Sequence, residues 1–302
     1  MIGRVCLVHG AERPLGFEIC RQLAEQGASV ILTTPQTASS DEIAALLRRE
    51  TGNNNIVSDA LDLSQRASIR TFVQNFKQHH QSLHVLVNQG PVVSATRVET
   101  ADGVEGMWAA NVLGMYQLTA RLMPMLRYCR PARIINVVSQ HAGGLDLTDG
   151  QFKKRAWSSP KALYASAQAQ QMLTWAWAAG LDGSTVTVNA VAPGPYKSER
   201  YRDLGGIQGA YLRARDNWSS VDVAEAAKSV TWLASSPELQ GVTDRLWTGR
   251  ASAIGSFRER ESLLALVSLC EGTSRVHVQY DSNAFFQEEY DSMVMNRTFT
   301  GF

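Results

Sequence analysis

The segment RVCLVHGAERPLG, residues 4–16, decides the fold class that this sequence predicts. Residues 4–8 form a short apolar run typical of a β-strand, and the helical pattern that follows ends at Gly27. Gly10 and Gly16 lie in the turn between them. Glycines in a strand–turn–helix segment permit a tight turn and let a phosphate reach the free N–H groups of the helix N-terminus. The segment therefore predicts a dinucleotide-binding turn, with an ordinary strand-to-helix turn as the alternative.

Outward from this turn, apolar runs alternate with helical patterns along most of the chain. Further strands are predicted at residues 29–32, 56–61, 83–88, 133–138 and 185–191. Ser40 and Ser64 are the expected N-caps of two intervening helices, and a long helix is expected over residues 103–128. Such alternation indicates a parallel sheet covered on both faces. We predict a single α/β domain over residues 1–274 with a Rossmann-type doubly wound parallel sheet of six or seven strands, the first and fourth being adjacent.

The composition narrows the expected partners and surroundings. The 302 residues carry a formal net charge of +1, which gives no electrostatic reason to expect nucleic acid or an anionic membrane. The four cysteines lack metal-like spacing, so we predict no metal site and reduced thiols in a cytoplasmic protein. No apolar run is long enough for a transmembrane segment. Residues 275–302 are more polar, and we interpret them as an appended C-terminal tail that could be disordered.

The glycine turn resembles the TGxxxGxG motif of the short-chain dehydrogenase/reductase family. Gly10 and Gly16 match the first and third glycines, whereas His9 replaces the threonine and Pro14 the middle glycine. Proline suits a first helical position, but it removes one N–H and places a ring where bare backbone would face phosphate. Arg13 lies where a basic residue in this family indicates NADP(H), and no aspartate follows the second strand. The resemblance therefore favours NADP(H) over NAD(H); a merely solvated Arg13 and no bound cofactor are the alternatives.

Later segments resemble the family's other cofactor-binding elements. The resemblance assigns cofactor contacts to Asp62, Asn88, Gly90, Pro193, Gly194 and Ser198. Asp62 matches an aspartate that contacts adenine, although it could instead supply negative charge to the following helix. Asn88 and Gly90 belong to an LVNNAG-like element that carries Gln89. Ser198 falls where a hydroxyl residue often meets the nicotinamide carboxamide.

The catalytic positions of the family recur in the same order. Asn111 matches the helix asparagine that helps to hold a proton-relay water, and Ser139 matches the serine that hydrogen-bonds the substrate oxygen. Tyr164 aligns with the acid/base tyrosine of YxxxK, but Gln168 occupies the lysine position. In the family that lysine lowers the pKa of the phenol, about 10 when free, and binds ribose. Gln168 can hydrogen-bond ribose but supplies no charge.

A rival register places Trp157 and Lys161 at the two ends of the YxxxK motif. It lengthens the span to the Pro193-Gly194 signature, and tryptophan has no acidic hydroxyl, so we prefer Tyr164. The long loop between Ser139 and Tyr164 resembles the retinol-dehydrogenase-like branch of the family. That spacing predicts that the Ser139 and Tyr164 oxygens face one cleft.

The resemblance implies an NADP(H)-dependent oxidoreductase that acts, slowly, on a small apolar carbonyl or alcohol. The changes at Pro14, at Gln168 and in the Asn88-Gln89-Gly90 loop support the alternative, a catalytically silent member that serves as a binding or scaffold protein. The segment 195–218 contributes Tyr196, Tyr201, Tyr211 and Trp218, which suit an apolar substrate but equally helix packing or a dimer interface. Members of the family often form homodimers.

Overall fold

The predicted alternation of strands and helices is present in the structure. The structure is a computed structural model that describes residues 1–196, 209–211, 213–214 and 221–278. Its first half consists of β1 Val5–His9, α1 Pro14–Glu25, β2 Ser29–Thr34, α2 Thr37–Thr51, β3 Ile56–Ala60, α3 Arg66–His79 and β4 Val85–Asn88. The predicted strands therefore form at the apolar runs, and Gly27, with φ +80°, follows α1 as expected.

The second half begins with a helix of three consecutive segments, which we number together as α4. These are Gly106–Trp108, the π-helical turn Ala109–Gly114 and Met115–Tyr128. The further elements with described bounds are β5 Ala132–Val137, α5 Ser159–Gly180, β6 Val186–Val191, α6 Val223–Ser235, a 3₁₀ turn Pro237–Leu239, β7 Leu246–Thr248, β8 Ala251–Ala253 and α7 Arg260–Ser274.

The described residues form an eight-stranded sheet in the order β3-β2-β1-β4-β5-β6-β7-β8. The pairs from β3 to β7 are parallel, and β8 pairs antiparallel to β7. The expected six or seven strands are therefore wrong, because three-residue strands such as β7 and β8 are too short to show a periodicity. The predicted adjacency of β1 and β4 is confirmed. The strand order reverses between them, which is where ligands bind in such sheets, at the carboxyl ends of the strands.

Separate apolar clusters cover the two faces of the sheet. On one face α3, α4, α5 and α7 pack around Phe72, Tyr116, Trp175 and Trp177. On the other face α1, α2 and α6 pack around a second apolar cluster, which includes Leu23. This arrangement confirms the doubly wound single domain. All four cysteines are buried and unpaired, as expected for reduced thiols.

Both N-cap predictions are wrong. Helix α2 begins before Ser40, whose hydroxyl donates to the Thr37 carbonyl oxygen at 2.7 Å from inside the first turn. Ser64 precedes the true N-cap of α3, Gln65, and its hydroxyl donates to Asp62 at 2.7 Å. Serine hydroxyls readily bond such nearby groups, so their position near a helix start does not identify the cap.

The long helix also begins later than predicted. Gly103 has φ +73°, a left-handed conformation that ends the preceding turn. Glu105 is the N-cap of α4, because its carboxylate accepts the Trp108 N–H at 2.7 Å. The glutamate was not recognised because serine, threonine, aspartate and asparagine are the usual caps.

The beginning of the predicted C-terminal tail is attached to the domain. The Tyr116 hydroxyl and the Val278 N–H both donate to Glu271 Oε1, at 3.2 and 3.3 Å. Residues 279–302 of the tail lie outside the described residues. Within the part of the chain that the structure describes, no helix combines the length and hydropathy that a membrane span requires.

Candidate functional site

The backbone of the turn between β1 and α1 has the form that a phosphate-binding turn needs. Gly10 has φ +85°, and a Cβ placed on Gly16 would overlap the carbonyl oxygen of Gly10. Both positions therefore require glycine. Pro14, which is exposed, is the first residue of α1, so its missing N–H is one that the helix would leave unpaired in any case.

Two side chains lie over this turn. The Gln89 Oε1 atom is 2.5 Å from the position of a Cβ on Gly10 and 2.9 Å from that of a Cβ on Gly16. Arg13 crosses to the loop after β4, where its Cδ and Nε atoms lie 3.0 Å from the Cβ position of Gly90. Its Nε is also 3.5 Å from a carboxylate oxygen of the neighbouring Glu12. The assignment of Arg13 to a 2′-phosphate stays a prediction.

His9 is a buried histidine at the end of β1, directly before the turn. Its Nδ1 is 3.0 Å from the hydroxyl of Thr33, which is also buried. Burial lowers the pKa of His9 to about 4, and the nearby Arg13 charge acts in the same direction. The imidazole is therefore neutral near pH 7 and fills the place of the family's threonine as an uncharged hydrogen-bonding group.

Two predicted cofactor contacts have structural partners. The Asp62 carboxylate accepts the N–H and hydroxyl of Ser64, at 2.8 and 2.7 Å, directly before α3. The Asn88 amide donates to Asn136 Oδ1 at 2.8 Å and to Thr119 Oγ1 at 3.2 Å inside the sheet. The Asp62 contacts fit the alternative reading as charge at a helix N-terminus. The adenine contact of Asp62 and the cofactor contact of Asn88 stay predictions.

Asn111 lies in the π-helical turn of α4 and is buried. Its side chain binds both backbone groups of Val92, accepting the N–H at 2.7 Å and donating to the carbonyl at 2.9 Å. Its own carbonyl oxygen accepts a hydrogen bond from Gln170 Nε2 at 3.0 Å. The Asn111 side chain therefore holds the loop after β4, and its backbone carbonyl oxygen accepts the bond from the Gln170 side chain.

A cleft of about 220 Å³ opens at the carboxyl ends of the central strands. Ser139 lines it, and the Ser139 hydroxyl oxygen accepts the N–H of His141 at 3.1 Å. The loop after β6 closes the opposite side with Pro193, Gly194 and the buried Tyr196. The cleft thus brings together one predicted catalytic residue and two predicted cofactor contacts.

Tyr164 and Gln168 lie beside this cleft on α5. The Tyr164 ring is 6.3 Å from the His141 ring, centroid to centroid, and the described wall of the cleft includes His141 but not Tyr164. Gln168 Oε1 accepts the Leu145 N–H at 3.0 Å. The side chain at the lysine position therefore supports the long loop after β5. The catalytic roles of Tyr164 and Gln168 stay predictions.

The two residues of the rival register also have described positions, and the choice between the registers stays a prediction. Trp157 precedes α5, and its indole N–H donates to Glu105 Oε1 at 3.2 Å. The indole thereby helps to hold the buried cap of α4, whereas Lys161 is exposed. This pair has the contacts of a structural anchor and a surface residue.

Three residues of this region have contacts that their sequence neighbourhood did not indicate: Gln89, His141 and Gln170. Gln89 stands in the LVNNAG-like element, and His141 follows two residues after the catalytic serine position, so a comparison with the family motifs could have found both. Ser198, Tyr201 and Trp218 lie outside the described residues, and the described residues hold no cluster of His, Cys, Asp and Glu suited to a metal.

Comparison with known proteins agrees with this geometry. The profile of the short chain dehydrogenase family matches residues 4–205. Human retinol dehydrogenase 12 is 35% identical over 202 residues, 66% of this chain and 64% of that protein, so the match spans less than two thirds of the relative. Mouse polyprenol dehydrogenase is 32% identical over 270 residues, 86% of this chain and 80% of that protein.

Solved structures share the fold. The Pseudomonas aeruginosa RhlG/NADP active-site complex superposes with a TM-score of 0.65 at 24% identity, covering 82% of this chain and 95% of that one. A metagenomic short-chain oxidoreductase in complex with NADP gives a TM-score of 0.62 at 22% identity, covering 82% of this chain and 96% of that one.

Proposed function

The chain belongs to the short-chain dehydrogenase family, in its retinol-dehydrogenase-like branch, and from that premise we propose that it is a slow NADP(H)-dependent oxidoreductase that interconverts a carbonyl and an alcohol. One observation carries the proposal. Ser139 lines a cleft at the carboxyl ends of the central strands, where this fold binds ligands, together with the Pro193-Gly194 loop.

The residues present fit a nicotinamide dinucleotide. The glycine turn, with Gly10 and Gly16 too crowded for any Cβ, would hold the pyrophosphate at the start of α1. Arg13 would serve a 2′-phosphate, and Pro193 and Gly194 would border the nicotinamide. When bound, the nicotinamide donates or accepts a hydride at the substrate carbon.

Ser139 would position the substrate. Its oxygen already accepts the His141 N–H, which leaves the hydroxyl hydrogen to donate to a substrate carbonyl oxygen. Such a bond would strengthen as negative charge develops on that oxygen. Tyr164, whose ring lies 6.3 Å from the His141 ring and outside the described wall of the cleft, would have to turn toward the cleft to pass a proton to the same oxygen.

We infer the low rate from the absence of a cation at the lysine position. A phenol normally keeps its proton until about pH 10, and a nearby positive charge is the means of releasing it earlier. Gln168 carries no charge and is bound to the Leu145 N–H. The described wall of the cleft contains no lysine or arginine that could replace this charge.

The cleft favours an apolar substrate. Its described wall contains Val93, Val138, Leu163 and Tyr196, beside the polar residues Gln89, Ser139, Gln140 and His141. Relatives named retinol dehydrogenase and polyprenol dehydrogenase support the same choice, a hydrophobic alcohol or the corresponding carbonyl compound.

A catalytically silent binding protein is the second candidate, and one specific observation favours it. Gln168 and Gln170 both use their amides inside the protein, on the Leu145 N–H and on the Asn111 carbonyl. Those contacts take the places that a lysine and a relay water would use. A protein of this kind would keep the dinucleotide site without the proton path.

Thermal unfolding with NADPH, with NADH and without either tests the proposal. A ligand that binds only the folded state at 100 times its Kd adds about 2.7 kcal/mol, which should raise the Tm by several degrees. We expect a larger rise with NADPH than with NADH, and slow NADPH-dependent reduction of an apolar aldehyde. Stabilisation without turnover would select the silent alternative. No rise with either dinucleotide would contradict the proposed oxidoreductase.

A further inference from the structure

A further cavity lies at the amino-terminal ends of the central strands, at the opposite end of the sheet from the cleft. Three basic side chains line it: Arg4 directly before β1, His84 directly before β4 and Arg133 at the start of β5. These strands are consecutive in the sheet, which makes neighbours of residues that are far apart in the sequence. We call this cavity the basic pocket. Its volume is about 60 Å³, whereas a water molecule needs about 10–15 Å³, so it has room for a small ion.

His84 supplies the basic pocket with a neutral hydrogen-bond donor. Its Nδ1 atom accepts the backbone N–H of Val5 at 3.0 Å, so the ring hydrogen of the neutral imidazole is on Nε2. Burial lowers the pKa of His84, and the Arg4 charge lowers it further, so the ring is neutral near pH 7. The Nε2–H donates to none of the described residues. It is therefore available to a ligand.

The two arginines differ in how much of their hydrogen-bonding capacity the protein uses. Arg133 donates to the carbonyl oxygens of Leu233 and Ser236 at the end of α6, both at 2.7 Å. Arg4 donates from Nη1 to the Pro131 carbonyl oxygen at 3.3 Å, and its side chain makes no other hydrogen bond to a described residue. Because a guanidinium has five N–H donors, Arg4 keeps most of its donors for a ligand.

The positive charge of the basic pocket is not balanced by a carboxylate in the part of the chain that the structure describes. Neither arginine forms an ion pair there. Burial lowers the pKa of Arg133, and the charge of Arg4 acts in the same direction. The sequence agrees, since residues 63–98 and 106–145, which contain β4 and β5, include no aspartate or glutamate. Two like charges in a partly buried site repel each other, and a bound anion offsets that repulsion.

We propose that the basic pocket binds a phosphate group, of inorganic phosphate or of a small phosphorylated metabolite. Arg4 and the Nε2–H of His84 donate to its oxygens, and Arg133 adds the second positive charge. A phosphate group carries nearly two negative charges near pH 7, which matches two guanidinium groups, and the planar fork of arginine fits its oxygens.

This site is separate from the dinucleotide site. The five residues of β1, at about 3.3 Å each, place the glycine turn about 16 Å from the basic pocket. The inference therefore does not depend on the proposed function.

The test follows the histidine ring signals of the full chain by proton NMR while inorganic phosphate replaces chloride at constant ionic strength and pH. The His84 signal is identified by its loss in His84→Gln, and it should shift until the site is saturated. Arg4→Gln removes a charge-assisted donor and should raise the Kd about tenfold. Arg4→Lys keeps the charge without the fork and should give an intermediate Kd. The matched control is Arg49→Gln, at an exposed arginine near the end of α2, which should leave the Kd unchanged.

The His9 signal separates this site from the glycine turn, because His9 is at the other end of β1. Phosphate that shifts the His9 signal and leaves the His84 signal in place binds at the turn alone, and that result overturns the proposal. A His84 shift with the same Kd in Arg4→Gln as in the original protein also overturns it. If Arg4→Gln does not fold, as judged by its unfolding curve, Arg4→Lys decides: a raised Kd supports the site and an unchanged Kd contradicts it.

A second titration with glycerol 3-phosphate distinguishes the two sources of the phosphate group. A lower Kd than that of inorganic phosphate assigns the basic pocket to a phosphorylated metabolite. An equal or higher Kd assigns it to free phosphate. A His84 signal that responds to neither compound overturns the proposal.

Discussion

The glycine turn and the inner face of helix α5 depart from the family pattern in opposite ways. At the turn the crowded glycines remain, and what differs is Pro14 as the first residue of α1 and Gln89 in the loop packed against the turn. On α5 the residue at the lysine position is Gln168, which carries no charge. Its amide oxygen accepts the Leu145 N–H of the loop after β5. Under the proposed function, we therefore expect dinucleotide binding to depend on what surrounds the turn, and proton transfer to depend on the charge that α5 lacks.

The largest effect should come from breaking the part of the turn that is intact. Gly16→Ala forces a methyl group against the backbone oxygen of Gly10, which cannot rotate away. Overpacking of this kind costs about 3 kcal/mol of unfolding free energy, measured by chemical denaturation. Gly272→Ala is the matched control. Nothing lies within 4 Å of its added methyl group in helix α7, so the change should be stabilising by up to about 1 kcal/mol. A Gly16→Ala protein as stable as the original would show that the turn is not crowded.

A second test lowers the pH so that His9, directly before the turn, becomes protonated. His9 has its pKa lowered to about 4 by burial, so the unfolded chain, with an ordinary pKa near 6.5, binds the proton first. The stability due to neutral His9 is complete above pH 6.5 and is lost as the pH falls toward 4. The loss amounts to about 3 kcal/mol at 1.4 kcal/mol per pKa unit.

Denaturation curves at several pH values check this, with His9→Asn and Thr33→Val compared. His9→Asn should flatten the fall in stability between pH 6.5 and 4 relative to the original protein. Thr33→Val removes the hydrogen-bond partner but keeps the titrating ring, so the fall should persist. Parallel pH dependence in the original protein and His9→Asn would mean that His9 takes up no proton on unfolding, and therefore that its pKa is not lowered in the folded protein.

The absence of a charge at Gln168 on α5 predicts a gain in reaction rate, with a smaller free-energy effect than the two changes above. Gln168→Lys should raise the rate of NADPH-dependent carbonyl reduction about tenfold, equivalent to about 1.4 kcal/mol, and move the alkaline limit of the pH profile downward. Gln168→Met has similar length without charge and separates loss of the Leu145 contact from gain of the cation. Equal rates in both variants would show that charge is not the limiting factor. Combining Gln168→Lys with Pro14→Gly tests whether the turn limits the rate as well.

The smallest effect concerns the other glutamine of α5. Gln170→Met retains the volume but leaves the buried Asn111 carbonyl without its donor, at a cost of about 1 kcal/mol in unfolding free energy. Thermal and chemical unfolding measure it. An unchanged stability would mean that water replaces the Gln170 amide. The Gln170 contact would then be no evidence that the glutamines of α5 have a structural role.

Sequence patterns predicted the backbone better than the functional atoms. The alternation of apolar runs with helices gives the strand adjacency, and Gly10 and Gly16 identify the turn, because strand burial and positive φ leave direct marks in the sequence. The destinations of Gln89, Gln168 and Gln170 leave none. An amide finds its partner through rotamer and packing across elements far apart in sequence, and β7 and β8 are too short to show a period.

The far edge of the sheet limits how this fold can be extended. β8 contributes only Ala251–Ala253, exposed small residues at the end of an antiparallel hairpin, and Arg250 beside it lies 5.5 Å from the centre of the Trp232 ring. An unpaired strand edge is a template on which another chain can polymerise. Three small residues offer few backbone hydrogen bonds to such a chain. In the described residues the sheet ends here in its own last hairpin, so we expect this edge to offer little template for edge-to-edge aggregation.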